Sequence, residues 1–293
     1  MLYSCEIWGQ LTKTQVNELE KVQKHVAKRV QGLHWRTHDE VARGLLGLYT
    51  MKGYINKRKL AFIHKLINLD GKCLSRQIFL HNFDKYSDMP HLTSNCTSDL
   101  LNVCKQYKLF DHVLLIIKTG NTSKASWKKQ VNCAIYENEN TIWQEGLVLK
   151  ENCLRLLDVQ GNLKVNNIYY VIRRNPRCHN DLLTLARTLA LKVNEYIFLR
   201  CNLCNQLVND IMEHVLIYCT GLNVLRENMW GNLIDELDVI ISAELFSLSD
   251  KEIINVFLTG DLIRTRVSES ASDFCVCNVA KTFGNMMDMV TFD

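Results

Sequence analysis

Four residues near the end of the chain, Cys201, Cys204, His214 and Cys219, make the most definite demand on its folding. All lie within 19 positions, and each offers a good ligand for a borderline metal ion. Two cysteines separated by two residues bring both sulfurs to one ion across a tight turn, and a histidine and a cysteine beyond a short excursion complete a tetrahedron. Four donors with no spare position specify structural zinc. The segment from Asp210 to Cys219 is expected to form the first turns of a helix, continued by Leu222, Leu225, Met229, Trp230, Leu233 and Leu237 on one apolar face. Bound zinc contributes on the order of 10 kcal/mol to folding in such modules. The competing reading leaves two of the three cysteines in the core and His214 on the surface.

Composition sets the fold class. The chain has 293 residues, 47% hydrophobic and 23% charged, enough for one large domain or two ordinary ones. Two prolines and 13 glycines leave few obligatory turns, which favours helix over a many-stranded β-architecture. The expected fold is mainly α. The apolar run Val113 to Ile117 falls far short of the roughly 20 residues of a membrane span, and Arg187 interrupts the stretch from Leu182 to Val193. Residues 1–8 show no basic region, sustained apolar stretch or small-residue cleavage site, so secretion is not expected and the Asn-x-Ser/Thr triplets at Asn95 and Asn121 read as chance. Twelve cysteines are too sparse for a disulfide scaffold, which points to a reducing, intracellular setting.

Charge is unevenly spread. Residues 1–70 carry 12 Lys/Arg against 6 Asp/Glu, residues 71–200 carry 18 against 11, and residues 201–293 carry 5 against 14. A basic front and an acidic rear suggest a polyanion-binding surface ahead of the metal module; a merely solvated basic surface is the alternative.

Val16, Leu19, Val22, Val26 and Val30 recur at helical spacing, predicting an amphipathic helix over 15–30 capped by Thr14 and stopped by Gly32. Its other faces hold Lys21, Lys24, His25, Lys28 and Arg29. Thr37 to Glu40 reads as a capping box opening a short helix that Gly47 ends. A third helix, Met51 to Leu69, is expected to bury Ile55, Leu60, Ile63, Leu66 and Ile67, to expose Lys52, Lys57, Arg58, Lys59 and Lys65, and to close at Gly71. Residues 1–70 thus read as a basic helical bundle. Residues 71–194 form a helical connector, polar and turn-rich at 84–99 and 119–126. Helix is expected there at 100–118, 141–158 and 180–199, the last with Leu182, Leu185, Leu189 and Val193 on one stripe. The zinc module occupies 195–240 and a helical tail 241–293.

Other signals are weaker. Cys275 and Cys277 are spaced too tightly for a common zinc pair, and Cys178-His179 lacks an orienting third group for nucleophilic catalysis. Arg173, Arg174 and Arg177 cluster around Pro176 in a way suited to phosphate contact, or to a solvated loop. There is no GxxxxGK[ST], no GxGxxG and no adjacent aspartate pair, which removes P-loop hydrolysis and the usual two-metal polymerase signature.

Several motifs together resemble a known family. Leu2-Tyr3-Ser4-Cys5-Glu6-Ile7-Trp8-Gly9 is followed by Leu19 to Lys24, by Gly32-Leu33 and by Gly44-Leu45-Leu46-Gly47-Leu48. Much later come Arg200-Cys201-Asn202-Leu203-Cys204, Glu213-His214-Val215-Leu216-Ile217-Tyr218-Cys219 and Leu225-Arg226. In order and separation these resemble the thumb and the cysteine-histidine knuckle at the C-terminal end of reverse transcriptases from non-LTR (LINE-like) retrotransposons, over residues 1–70 and 195–260. Where that family often has proline after the Gly-Leu turn, this chain has Tyr49-Thr50-Met51. The resemblance implies a thumb that grips a primer-template duplex through backbone contacts and a knuckle region that helps bind RNA or target DNA. It also implies that a palm with catalytic aspartates and an endonuclease belong upstream of Met1, where a polymerase would be the partner.

The function expected is nucleic-acid binding without catalysis. Lys21, Lys24, Lys28, Arg29, Lys57, Arg58, Lys59, Arg173 and Arg174 are the residues expected to meet RNA or DNA backbone, with binding that weakens steeply in salt. The alternative is a helical protein-interaction module in which zinc is purely architectural.

Overall fold

The computed structural model describes residues 3–88, 96–120, 123–150, 156–157, 160–189, 199–237, 239–259 and 269–291. Among these residues there are fourteen α-helices, a few short 3-10 turns and one two-stranded antiparallel sheet, so the protein is mainly α. No described helix is long and apolar enough to cross a membrane. The triplets at Asn95 and Asn121, and Val193, lie outside the described residues.

The chain divides into two compact units, residues 1–23 with 49–143 and residues 24–48 with 144–293. Residues 1–70, expected to be one bundle, are shared between them, and helix α1 (Lys13–Val30) contributes to both. Thr12, not Thr14, opens α1: its hydroxyl accepts from the Gln15 amide at 3.3 Å while the Gln15 side chain accepts from the Thr12 amide at 2.9 Å. The valine stripe is not buried as expected. Val22, Val26 and Val30 are 43%, 51% and 66% exposed, and Ala27 is the helix's buried residue.

The first unit is built on α3 (Met51–Ile67), α4 (Leu74–Asp88), α5 (Cys96–Gln106), α6 (Phe110–Thr119) and the first turns of α7 (Lys124–Val148). Leu60 and Ile63 of α3, Phe79 and Phe83 of α4, Leu101 of α5 and Trp127 of α7 meet in its core. The Trp127 indole N–H donates to the Leu60 carbonyl at 2.9 Å, giving the ring's one polar atom a partner inside. Where a proline was missing from the sequence motif, Thr50 caps α3. Its hydroxyl accepts from the Gly53 amide at 2.9 Å and donates to the buried Glu139 carboxylate at 3.0 Å, which also accepts from the Thr50 amide at 2.6 Å. Glu20 accepts from the Met51 amide at 2.6 Å, so two carboxylates sit at the positive end of the helix. The helix expected over 100–118 is two, α5 and α6, broken at Lys108, whose φ is +56°. Helix expected from residue 141 begins at Lys124 instead.

The second unit contains α2 (Asp39–Leu45), α8 (Asn167–Arg174), α9 (His179–Leu189), the hairpin β1 (Leu199–Arg200) and β2 (Leu207–Val208), and α10 (Ile211–Glu213). It continues through α11 (Asn223–Glu236), α12 (Val239–Phe246), α13 (Asp250–Thr259) and α14 (Glu269–Met289). The capping box expected at Thr37 to Glu40 does not form. His38 occupies the cap position but its side chain does not cap the helix, Asp39 is drawn to Lys24 (3.0 Å) and Lys28 (2.8 Å), and Glu40 pairs with Lys150. The loop after α2 is tied down by distant residues: Leu46 bridges Val165, and Gln160 donates to the Gly44 carbonyl at 2.8 Å. Gly47, at φ +60°, lies so close to Val165 that a Cβ would come within 2.5 Å of its nitrogen. Met229 and Leu233 of α11, Ile241 and Leu245 of α12, Ile253 of α13 and Val279 of α14 form a second core. The residues read as a separate tail therefore share a core with α11.

Candidate metal centre

The hairpin β1–β2 pairs Leu199 with Val208 and Arg200 with Leu207, and the turn between the strands carries Cys201 and Cys204. Asn205 adopts φ +61°, and its amide donates to the Cys201 carbonyl at 2.8 Å, closing the knuckle. Asparagine tolerates this left-handed backbone better than most residues. Beyond the hairpin, the Asp210 side chain accepts from the Glu213 amide at 3.0 Å and starts α10.

The chain does not then continue as one regular helix. Residues His214–Tyr218 widen into a π turn, in which the Cys219 amide donates to the His214 carbonyl at 2.7 Å, and Cys219 itself is extended. A 3-10 turn, Thr220–Leu222, leads into α11. The wide turn and the break place Cys219 facing the knuckle.

Cys201, Cys204, His214 and Cys219 converge, their ligand atoms all within 4.8 Å of one another, and the group can hold a metal ion. Cys201 Sγ lies 3.7 Å from Cys219 Sγ, and Cys204 Sγ lies 3.3 Å from His214 Nε2. An ion about 2.3 Å from each sulfur and about 2.0 Å from the nitrogen, at tetrahedral angles, requires separations of roughly 3.8 Å and 3.5 Å. Electrostatics agree with the geometry. Burial raises the Cys201 thiol, but the amides of Cys204 and Leu203 and the neighbouring sulfurs outweigh it and bring the thiol below its ordinary value. Burial and the adjacent Cys201 push Cys219 up to about 12. Close sulfurs resist ionising together without a cation among them, whereas a divalent ion stabilises every thiolate it binds. Burial, and then the Arg226 guanidinium, hold His214 below its ordinary value, in the neutral form a metal requires.

Three supports of this centre have structural roles that the sequence does not indicate, although Asn202 and Arg226 fall within the motifs quoted above. Arg226, buried, donates to the carbonyls of Cys219 and Val215 (3.5 Å to the latter) and to the Asn223 side chain. Gly221 packs so tightly that a Cβ would lie 2.7 Å from the Leu203 Cβ. Asn202, in the knuckle, exchanges two bonds with Thr291: its amide donates to the Thr291 carbonyl at 3.1 Å, and its side chain accepts from the Thr291 amide at 2.9 Å.

The basic residues singled out in the sequence do not gather at one place. Lys59 is a correction: it is 3% exposed and its ammonium lies 2.5 Å from Asp99, because α5 packs over the face on which it was expected to be open. Lys24 and Lys28 clasp Asp39, Lys21 lies 2.7 Å from Glu18, and Arg174 forks onto Asp273 with two bonds of 2.6 Å. Arg29 and Arg173 are exposed. Lys57 and Arg58 line one cleft of the first unit.

Among known proteins, the chain is similar to thymidylate synthase from Tolumonas auensis, with 30% identity over 117 residues, covering 38% of this chain and 41% of that protein. The chain thus spans less than half the length of that relative, and a likeness of this extent carries no activity across. No family model and no solved structure matches.

Proposed function

We infer that the protein is a non-catalytic nucleic-acid-binding module, akin to the thumb and knuckle region of a non-LTR reverse transcriptase, whose second unit is stapled by structural zinc. The closed tetrad supports the structural, non-catalytic part of this reading: three sulfurs and one imidazole would leave a bound ion no coordination site for substrate or water, so it would hold the fold and supply no chemistry. Zinc suits this donor set and geometry better than harder ions, which favour oxygen ligands. The cationic excess of residues 1–200 supplies the complementary charge for RNA or DNA backbone.

Metal content and binding are separate tests. Native mass spectrometry of the purified chain is expected to show one zinc per molecule, and Cys204→Ser is expected to lose it. Binding to labelled RNA and DNA should be measurable at low salt and fall linearly on a log–log plot as salt rises. A second reading, a helical protein-interaction module with architectural zinc, is favoured by the internal pairing of Lys24, Lys28, Lys59 and Arg174. Metal-loaded protein that binds no nucleic acid at low salt leaves only this second reading.

A further inference from the structure

The first unit holds a cleft of 950 Å³ between α3 and α7. Lys57, Arg58 and Lys65 line it from α3, and Lys124 and Lys128 from α7. Arg58 and Lys65 are seven residues apart on α3, and Lys124 and Lys128 four apart on α7, so each of these pairs shares a face, with Lys57 beside Arg58. Among the described residues, five cations border one concave space whose single acidic lining residue is Glu6, 3.9 Å from Arg58. The cleft also has an apolar side, with Phe62, Leu69 and Val131 along it and His64 stacked on the buried Trp127 ring at a centroid distance of 6.4 Å.

Burial, and after it the nearby Lys128 ammonium, bring Lys57 below its ordinary value. Like charges lining one cleft from two helices repel each other, and an anion between them would relieve the repulsion. An acceptor lies there too, suited to a base N–H and not to a phosphate: the buried side-chain oxygen of Asn132 has no partner among the described residues.

We propose that the cleft between α3 and α7 binds a short stretch of single-stranded nucleic acid, its phosphates on the five cations and its bases against the apolar side. The proposal deepens the nucleic-acid reading above and rests on it. A duplex, with its bases stacked inside and both backbones outside, cannot present base faces to a cleft between two helices. A single strand can, and basic grooves with aromatic walls are how such strands are held without sequence preference. At 950 Å³ the space lies near the upper end of the roughly 300–1,000 Å³ range of ligand pockets, room for a short strand segment and not for a duplex.

The experiment uses the full zinc-loaded chain and fluorescence anisotropy with a labelled twelve-nucleotide oligo(dT), oligo(U) and a twelve-base-pair duplex over a range of salt. The single strands should bind at least tenfold more tightly than the duplex. Lys57→Gln with Lys128→Gln should weaken single-strand binding tenfold or more and lower the log–log salt slope by about 1.4, two contacts at 0.7 each. Lys118→Gln, outside the cleft, should change neither. Removing mutually repelling charges should leave the melting temperature unchanged or higher; if the double variant does not fold, Lys65→Gln with Lys124→Gln takes its place under the same criterion.

Unchanged affinity in the folded variants would place the strand elsewhere and overturn the cleft while leaving nucleic-acid binding intact. Equal affinity for duplex and single strand would overturn the single-strand preference. Competition by inorganic phosphate or a mononucleotide at the potency of the oligomer would make the cleft a small-anion site instead. No binding of any nucleic acid at low salt would remove the broader reading along with this one.

Discussion

Gly221 has no room for a side chain, since any Cβ would push into Leu203 and open the turn that carries Cys201 and Cys204. Overpacking of this kind costs about 1–3 kcal/mol. Gly221→Ala should therefore lower the stability of the second unit by that amount and release zinc to a colorimetric chelator faster than the parent; identical release would show that the knuckle yields freely. Arg226→Gln tests the other support. It leaves the carbonyls of Val215 and Cys219 short of a donor in a buried place, which costs about 1–3 kcal/mol in chemical denaturation. The four ligands were legible because metal chemistry restricts both residue type and spacing. Gly221 was not, and Arg226 was legible as part of a motif but not in its role, because what makes them necessary is a contact with Leu203 and with carbonyls around a turn whose shape periodicity does not reveal.

The helices show the same division between local and distant causes. Helix α3 was legible from its apolar spacing, but the device that starts it was not: Thr50 works with Glu139, a residue 89 positions away. Thr50→Ala should cost about 1–2 kcal/mol in urea unfolding, the upper range for a lost cap, because it also strips a bond from the buried carboxylate. The break between α5 and α6 has no sequence signal, because a lysine, not glycine or proline, takes the left-handed position at residue 108. The Asp39 clasp gives the second unit a pH response. Its carboxyl is partly buried, which alone would raise it, but bonds from Lys28 and then Lys24 win and hold it below its ordinary value of 3.8. The sign follows: the clasp stabilises the fold at neutral pH and down to about the unfolded value, and that stability is lost as pH falls through the lower folded value. Asp39→Asn should flatten the acid limb of a stability-against-pH curve below pH 4 and leave the neutral region parallel to the parent; an unaltered acid limb would assign the response to other carboxylates.

At the scale of the whole chain, two units with separate cores should answer differently to loss of metal. Chelation is expected to remove hydrogen-exchange protection from Met229, Leu233 and Ile241 while Leu60, Leu101 and Ile135 stay protected; uniform loss would mean that the ion supports the entire protein. The helical class was legible from scarce proline and regular apolar spacing, whereas the division into units was not, because it interleaves the chain instead of cutting it. That interleaving affects biosynthesis. Val41, Ala42 and Leu45 leave the ribosome well ahead of Gln160, which ties down their loop and is made 116 residues after Gly44. At ordinary translation speeds of about 5–20 residues per second, the interval is on the order of 6–23 s. For that time the nascent chain displays an unfinished apolar helix, a natural landing place for a holding chaperone and the point at which crowded synthesis would first turn into aggregation.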